Sequence, residues 1–166
     1  MTATEQFIET LKQLKTGEIG LLRTHAGQGI DEMVDGFDLF AGLWWPLRQK
    51  NERAPRREVA WLIAKLYAFC PIPHSPGETL ARQLRRCRPN KNPEKARFEQ
   101  RFDRMLILPI GKIEHSLQWA IGEINSINLR LDWVKLTDDL SIWERETTRL
   151  IWAEQFLETD ERGQKC

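Results

Sequence analysis

Apolar positions recur along most of this chain three and four residues apart, the spacing of a helix with one buried face. Thr2-Ala3-Thr4-Glu5 fits a capping box, and Phe7, Leu11 and Leu14 follow at helical spacing, with Gly17 placed to end the helix. A second short helix is expected from Glu18 to His25, and the Gly-rich stretch Ala26 to Ile30 reads as a loop. Asp31 is expected to cap a helix carrying Val34, Phe37 and Leu39, weakened by Gly36 and ended by Trp44-Trp45-Pro46. Pro55 suits a first helical position. Val59, Leu62, Ile63 and Leu66 then form one stripe, and Pro71 forces a stop.

Ser75-Pro76-Gly77-Glu78 reads as another capping box, opening a helix that ends before Pro89. Asn92-Pro93 starts a helix with Phe98, Phe102 and Met105 on one side. After Pro109-Ile110-Gly111 comes a helix with Ile113, Leu117, Ala120, Ile121, Ile124 and Ile127 on one face. A short helix follows around Asp132 to Leu140. Ser141-Ile142-Trp143-Glu144 is expected to cap the last one, which carries Trp143, Leu150, Ala153 and Leu157. No run of strict alternation supports a sheet, so the chain reads as all-α, with a division near Pro89 to Pro93.

Composition agrees with that class. The 166 residues include 20 leucines and 13 isoleucines but 3 valines and 1 tyrosine, a mixture that favours helices. Hydrophobic residues make up 41% and charged residues 30%, an ordinary globular balance. The longest uncharged stretch, Leu66 to Gly77, contains Pro71, Pro73 and Pro76 and is too short to span a bilayer. No secretory signal is visible at the N-terminus. Cys70, Cys87 and Cys166 are an odd number without close pairing, which suits reduced thiols and a cytoplasmic setting.

Charge changes the picture more. The net charge is +1, yet residues 1–47 carry −4, residues 48–105 carry +9 and residues 132–166 carry −4. A basic middle between acidic ends points to a local polyanion site. Arginine outnumbers lysine 16 to 9, and the guanidinium fork can hold two phosphate oxygens at once.

Arg82, Arg85 and Arg86 fall opposite Leu80, Leu84 and Cys87 on their helix. Arg97, Arg101 and Arg104 form a stripe about 90° from Phe98, Phe102 and Met105. Arg88, Lys91 and Lys95 fill the connection, so two basic helices adjoin. Nucleic acid is the favoured partner, against the alternative of a solvated face closed by intrachain ion pairs. A second basic group holds Arg48, Lys50, Arg53, Arg56 and Arg57, the last of these in a first helical turn that disfavours positive charge. Arg145 and Arg149 share a face with Trp152 and Phe156, whose aromatic rings suit core packing better than base stacking.

Signals for catalysis are poor. His25, His74 and His115 are scattered, and Cys70, His74 and Cys87 lack a fourth metal ligand at a recognised spacing. Gly111-Lys112 lacks the glycine-rich approach of a phosphate loop. Asp138-Asp139 is one adjacent pair on a helix, so the carboxylates diverge. No metal, cofactor or catalytic residue is assigned, and the chain is not read as an enzyme.

In the order and spacing of several segments the sequence resembles the CasB family, the small subunit of the type I-E CRISPR surveillance complex called Cascade. The segments are Phe7-Ile8 with Leu11 and Leu14, then Arg56-Arg57-Glu58 leading to Leu66-Tyr67-Ala68. Gly77-Glu78-Thr79-Leu80-Ala81-Arg82-Gln83-Leu84 follows, then Arg97-Phe98 with Arg101-Phe102. The last are Leu136 with Asp139-Leu140 and Trp143, and Arg149 with Trp152-Ala153-Glu154 and Phe156. The resemblance implies two small helical bundles in one elongated chain, divided here as residues 1–90 and 91–166. It implies two copies lying head to tail within a larger assembly, beside the other Cascade subunits. There they would contact guide RNA, target DNA and displaced strand by backbone, stabilising the R-loop in antiviral defence without catalysis. Arg56, Arg82, Arg101 and Arg149 stand at basic positions of the matching segments. Leu108-Pro109-Ile110-Gly111 departs from the charged helical run expected of relatives.

Two rivals come from other classes. One is a helical protein–protein adaptor whose basic stripes meet acidic partners. The other is a metal-dependent nuclease using Asp138 and Asp139.

Overall fold

The computed structural model describes residues 1–30 and 37–158. Its helices are α1 (Ala3–Lys12), α2 (Thr16–Thr24), α3 (Phe37–Lys50), α4 (Arg57–Phe69), α5 (Leu80–Cys87), α6 (Glu94–Leu106), α7 (Glu114–Ser126), α8 (Trp133–Ser141) and α9 (Glu146–Leu157). A 3-10 turn, Ile110–Lys112, leads into α7. Among the described residues there is no strand, only an isolated bridge between His74 and Leu131. The all-α class is therefore as the periodicity requires.

The apolar stripes are buried where the spacing puts them. Phe7 and Leu11 of α1, Leu62, Ile63 and Leu66 of α4, and Phe98, Phe102 and Met105 of α6 belong to one connected core. On α7, Leu117, Ala120, Ile121 and Ile124 are buried, while Ile127, at the C-cap, is exposed. Helices α1 and α2 pack on α3 and α4, α5 packs on α7 and α9, and α8 packs on α1 and α4.

Helix ends were less legible, and each difference has a local cause. The Thr2–Glu5 capping box forms, but α1 stops at Lys12 and Gly17 lies in the first turn of α2. The start proposed at Asp31, with Val34 and Gly36, lies outside the described residues. Pro46 does not end α3, which runs on to Lys50. Gly42, whose carbonyl loses its helical partner there, is exposed, so water can replace it. Pro55 is not helical, because its carbonyl accepts the Trp44 indole N–H at 2.7 Å and its segment is tied to α3.

Ser75 to Glu78 forms a turn rather than a cap. Gly77 has φ +86°, a left-handed conformation a right-handed helix cannot include. Its N–H donates to Asp132 Oδ2 at 2.8 Å, and the Asp132 N–H donates to the Glu78 carbonyl at 2.8 Å. The turn is thus locked to the start of α8, and α5 begins only at Leu80. Ser141 closes α8 instead of opening α9, its hydroxyl donating to the Thr137 carbonyl. On α9 the buried face is Thr148, Trp152 and Phe156, while Leu150 and Leu157 are exposed.

One charged group sits inside this core. Lys65 of α4 is 3% exposed and pairs with Glu114, with a second bond to the Gln28 carbonyl at 2.6 Å. Glu114 also accepts the Gly27 N–H at 2.8 Å, so the pair fastens the loop after α2 between α4 and α7. Removing one partner leaves a buried charge uncompensated, whereas removing both need not. Glu114→Gln is expected to cost about 3–5 kcal/mol in urea unfolding. The double change Lys65→Met with Glu114→Gln should recover most of that loss; an equal or greater loss in the double variant would show that the charge pair is not the cause.

Candidate nucleic-acid interface

The ten arginines singled out by sequence are all at least partly exposed, and the structure divides them into neighbourhoods. On α5, Leu80, Ala81, Gln83 and Leu84 are buried. Arg82 and Arg86 share the outer face one turn apart, and Arg85 is half-buried beside them. On α6, Arg97, Arg101 and Arg104 are exposed while Phe98, Phe102 and Met105 are buried. The two helices meet at a pocket of about 350 Å³ lined by Arg85, Arg86, Arg88, Pro89, Asn90 and Lys95. Four cationic side chains converge there from α5, the connecting turn and α6.

A second neighbourhood surrounds the start of α9. Arg56 is the N-cap residue of α4 and Arg57 its first helical residue. The Arg56 guanidinium donates to Glu144 at 3.1 Å. Arg149 donates through Nε to the Trp143 carbonyl at 3.0 Å, and its guanidinium stands 5.3 Å from the Trp143 ring centroid. Arg145 occupies the N-cap position of α9 without a side-chain capping bond. The carboxyl of Glu144 is held below the usual range by its own backbone N–H first, then by Arg56. It therefore carries its charge throughout the neutral range.

The four arginines implied by resemblance are each held by a partner in the chain. Arg56 pairs with Glu144, and Arg82 forms a two-pronged contact with Glu158 at 3.1 and 3.2 Å. Arg101 stacks 4.8 Å from the Trp119 ring centroid, and Arg149 lies over Trp143. Looser pairs join Arg86 to Glu78 and Arg88 to Glu99, both at 3.7 Å. Among the described residues, the side chains of Arg57, Arg97, Arg104 and Arg145 have no hydrogen bond or ion pair. Exposed pairs of this kind contribute about 0–1 kcal/mol, so a competing phosphate can displace them.

Two residues change standing. Arg48 points inward, donating to the carbonyls of Glu52 at 2.7 Å and Ala54 at 3.0 Å, and so closes the loop after α3. Arg130, overlooked in the sequence, is exposed and lines an open recess of about 200 Å³ together with Arg86. It stands in an otherwise neutral stretch, so no charge run announces it.

The remaining chemical candidates are occupied structurally. Asp139 accepts the indole N–H of buried Trp152 at 2.8 Å and the Lys135 ammonium at 3.1 Å. Asp138 accepts the Thr4 hydroxyl at 2.6 Å, and desolvation pushes its carboxyl up. His74 accepts the Trp133 N–H at 3.1 Å. Among the described residues, no group of three or more His, Cys, Asp or Glu side chains is placed to hold a metal ion. No helix among them is long and apolar enough to cross a membrane.

Two outcomes follow from these placements. Asp139→Ala is expected to destabilise the fold by about 1–3 kcal/mol in urea unfolding, because the buried Trp152 N–H loses its acceptor. Asp139→Asn, which keeps an oxygen, should lose less; equal losses would separate the effect from that bond. For Cys87, burial and then the nearby Glu123 charge push the thiol up to about 11. A raised value means the folded state favours the protonated thiol, a contribution present below the unfolded pKa of about 8.5 and lost as pH rises through about 11. Iodoacetamide should modify Cys87 at pH 8 about a hundredfold more slowly in the folded than in the urea-unfolded chain, read by peptide mass. Equal rates would show an unshielded thiol.

Comparison with known proteins places these observations in a family. A search of curated proteins gave no match. The family model described as CRISPR-associated protein Cse2 matches residues 19–157. Among solved structures, CasB from M. ruber is similar with a TM-score of 0.72 and 22% identity, covering 93% of this chain and 92% of that one. CasB from Thermus thermophilus gives 0.72 with 24% identity over 94% and 98%. CasB from Thermobifida fusca gives 0.66 with 16% identity over 94% and 96%. With its helical order matched over nearly the whole length and the family model covering most of the sequence, this chain belongs to the CRISPR-associated Cse2 family.

Proposed function

We propose that this chain is a non-catalytic structural subunit of a type I-E Cascade complex that holds nucleic acid by its backbone in the cytoplasm. The observation that carries the reading is the four-cation pocket between α5 and α6, in a chain of the Cse2 family whose α6 also exposes Arg97 and Arg104 on the side away from Lys95. Guanidinium groups on the surface of two helices bind phosphate oxygens wherever a strand presents them. Phosphate contacts position a strand without reading its bases. In RNA-guided recognition that division suffices, because base pairing reads sequence while protein holds shape and backbone. Opening the duplex exchanges one set of stacked pairs for another of similar stability, so modest contacts to guide RNA, target DNA and displaced strand tip the balance toward the R-loop.

The same reading takes residues 1–90 and 91–166 as two helical bundles, with the basic pocket at their junction. It pairs this chain with a second copy and with the other subunits of the complex. A protein–protein adaptor is the second reading, favoured by the exposed Leu150, Ile151 and Leu157 on α9. On that view the arginines meet acidic partner surfaces.

Binding to single-stranded DNA should be sequence-indifferent and fall steeply with salt, with a log–log slope of about −0.7 per phosphate neutralised. Arg97→Ala or Arg101→Ala should weaken every sequence alike and flatten that slope by about one unit or less. A salt-independent affinity would overturn the reading. Charge reversal at Arg97 and Arg101 separates the two proposals. The strand holder keeps its assembly and loses retention of opened DNA, whereas the adaptor loses assembly.

A further inference from the structure

The acidic partners of Arg56 and Arg82 are not explained by the stability they supply. Both pairs are open to solvent, with side-chain exposures of 42% and 60% for Arg56 and Glu144 and 46% and 43% for Arg82 and Glu158. Glu158 is also the C-cap residue of α9, the end of a helix where its dipole disfavours negative charge. What the two carboxylates share is position. They stand beyond opposite ends of α9, and each presents oxygen to a guanidinium as a phosphate would, Glu158 to both nitrogens of its fork.

We infer that Glu144 and Glu158 are phosphate-mimicking latches that hold Arg56 and Arg82 in binding geometry and set a threshold for strand capture. The inference rests on the proposed nucleic-acid role and concerns its regulation. A latched guanidinium is already ordered, so exchanging carboxylate for phosphate requires little new ordering. The exchange still has a cost, because the carboxylate must be displaced before the phosphate gains its contact. Dilute polyanions are therefore held poorly. A strand delivered at high effective concentration by neighbouring subunits displaces both acids together. Arg57, Arg97, Arg104 and Arg145, which carry no such partner among the described residues, supply the initial attraction.

The test uses the full chain and a fluorescently labelled oligothymidine, with affinity read by anisotropy across a salt series. Glu144→Gln and Glu158→Gln are compared with Glu9→Gln, which makes the same change in net charge at the α1 pair with Lys12. Each latch variant should bind about two- to fivefold more tightly than wild type, the range an exposed ion pair spans. Its salt slope should steepen by up to about 0.7. Glu9→Gln should change little, and Arg82→Ala in the Glu158→Gln background should abolish the gain. Thermal melting confirms that all variants stay folded. Equal gains in all three Glu→Gln variants, or none in the latch pair, overturn the latch while leaving the strand-holding role intact. Absence of binding by wild type and every variant overturns the role itself, and the latch with it.

Discussion

A buried indole nitrogen must donate its proton, and five of the seven tryptophans in this chain meet that demand across long stretches of sequence. Trp61 donates to the Gln28 carbonyl, Trp133 to Ile72, Trp143 to Leu108 and Trp44 to Pro55, while Trp152 donates to Asp139. Four of these acceptors are carbonyls in connections between helices. Each large ring therefore fills the core and fastens a loop with its one polar atom. A loop so fastened cannot drift, and the helices on either side keep their rotation. That is how a bundle of short helices, several of nine residues or fewer, holds its surface side chains in fixed places.

The basic surface inherits this rigidity. Trp143 is pinned to the Leu108 carbonyl, packs edge-on to Trp152 at 4.8 Å, and offers its outer face to Arg149. Trp119 packs against Phe98 at 5.0 Å and carries Arg101. Phe156 lies 4.1 Å from Phe102 and 5.5 Å from the Arg88 guanidinium. Each of these arginines rests on a ring in the core or, for Trp119, packed against it. A guanidinium over a ring has its flat face shielded while its edge donors still meet oxygen acceptors, as Arg149 Nε meets the Trp143 carbonyl. The connection Leu108-Pro109-Ile110-Gly111 serves the same design, since the Leu108 carbonyl is the acceptor that holds Trp143.

What the sequence made legible was periodicity. Phe98, Phe102 and Met105 had to face inward, which left Arg97, Arg101 and Arg104 outside, and the structure has that arrangement. What it hid was whatever depends on partners distant in the chain. Ser75 to Glu78 has the residues of a cap, but Asp132, more than fifty positions away, claims the Gly77 N–H and makes the segment a turn. Helix α9 carries two apolar stripes, and the positions of α5, α6 and α8 around it decide that Trp152 and Phe156 go in while Leu150 and Leu157 stay out. Glu144 and Glu158 look like ordinary surface acids until Arg56 and Arg82 are seen beside them. Pairs this far apart leave no local spacing to read.

The near-neutral balance of the whole chain bears on the same point. A uniformly cationic protein would hold any polyanion it met, and its affinity would dominate the assembly it joined. Here a net charge of +1 conceals a middle segment of +9 between ends of −4. Part of that acidity is spent directly on basic side chains, with Glu144 on Arg56 and Glu158 on Arg82. The attraction is therefore strong near α5 and α6 and weak a Debye length away, about 8 Å at physiological salt. Such a surface does little at a distance and much on contact. Under the proposed strand-holding role, that suits a subunit that receives a strand already opened by others better than one that must find it.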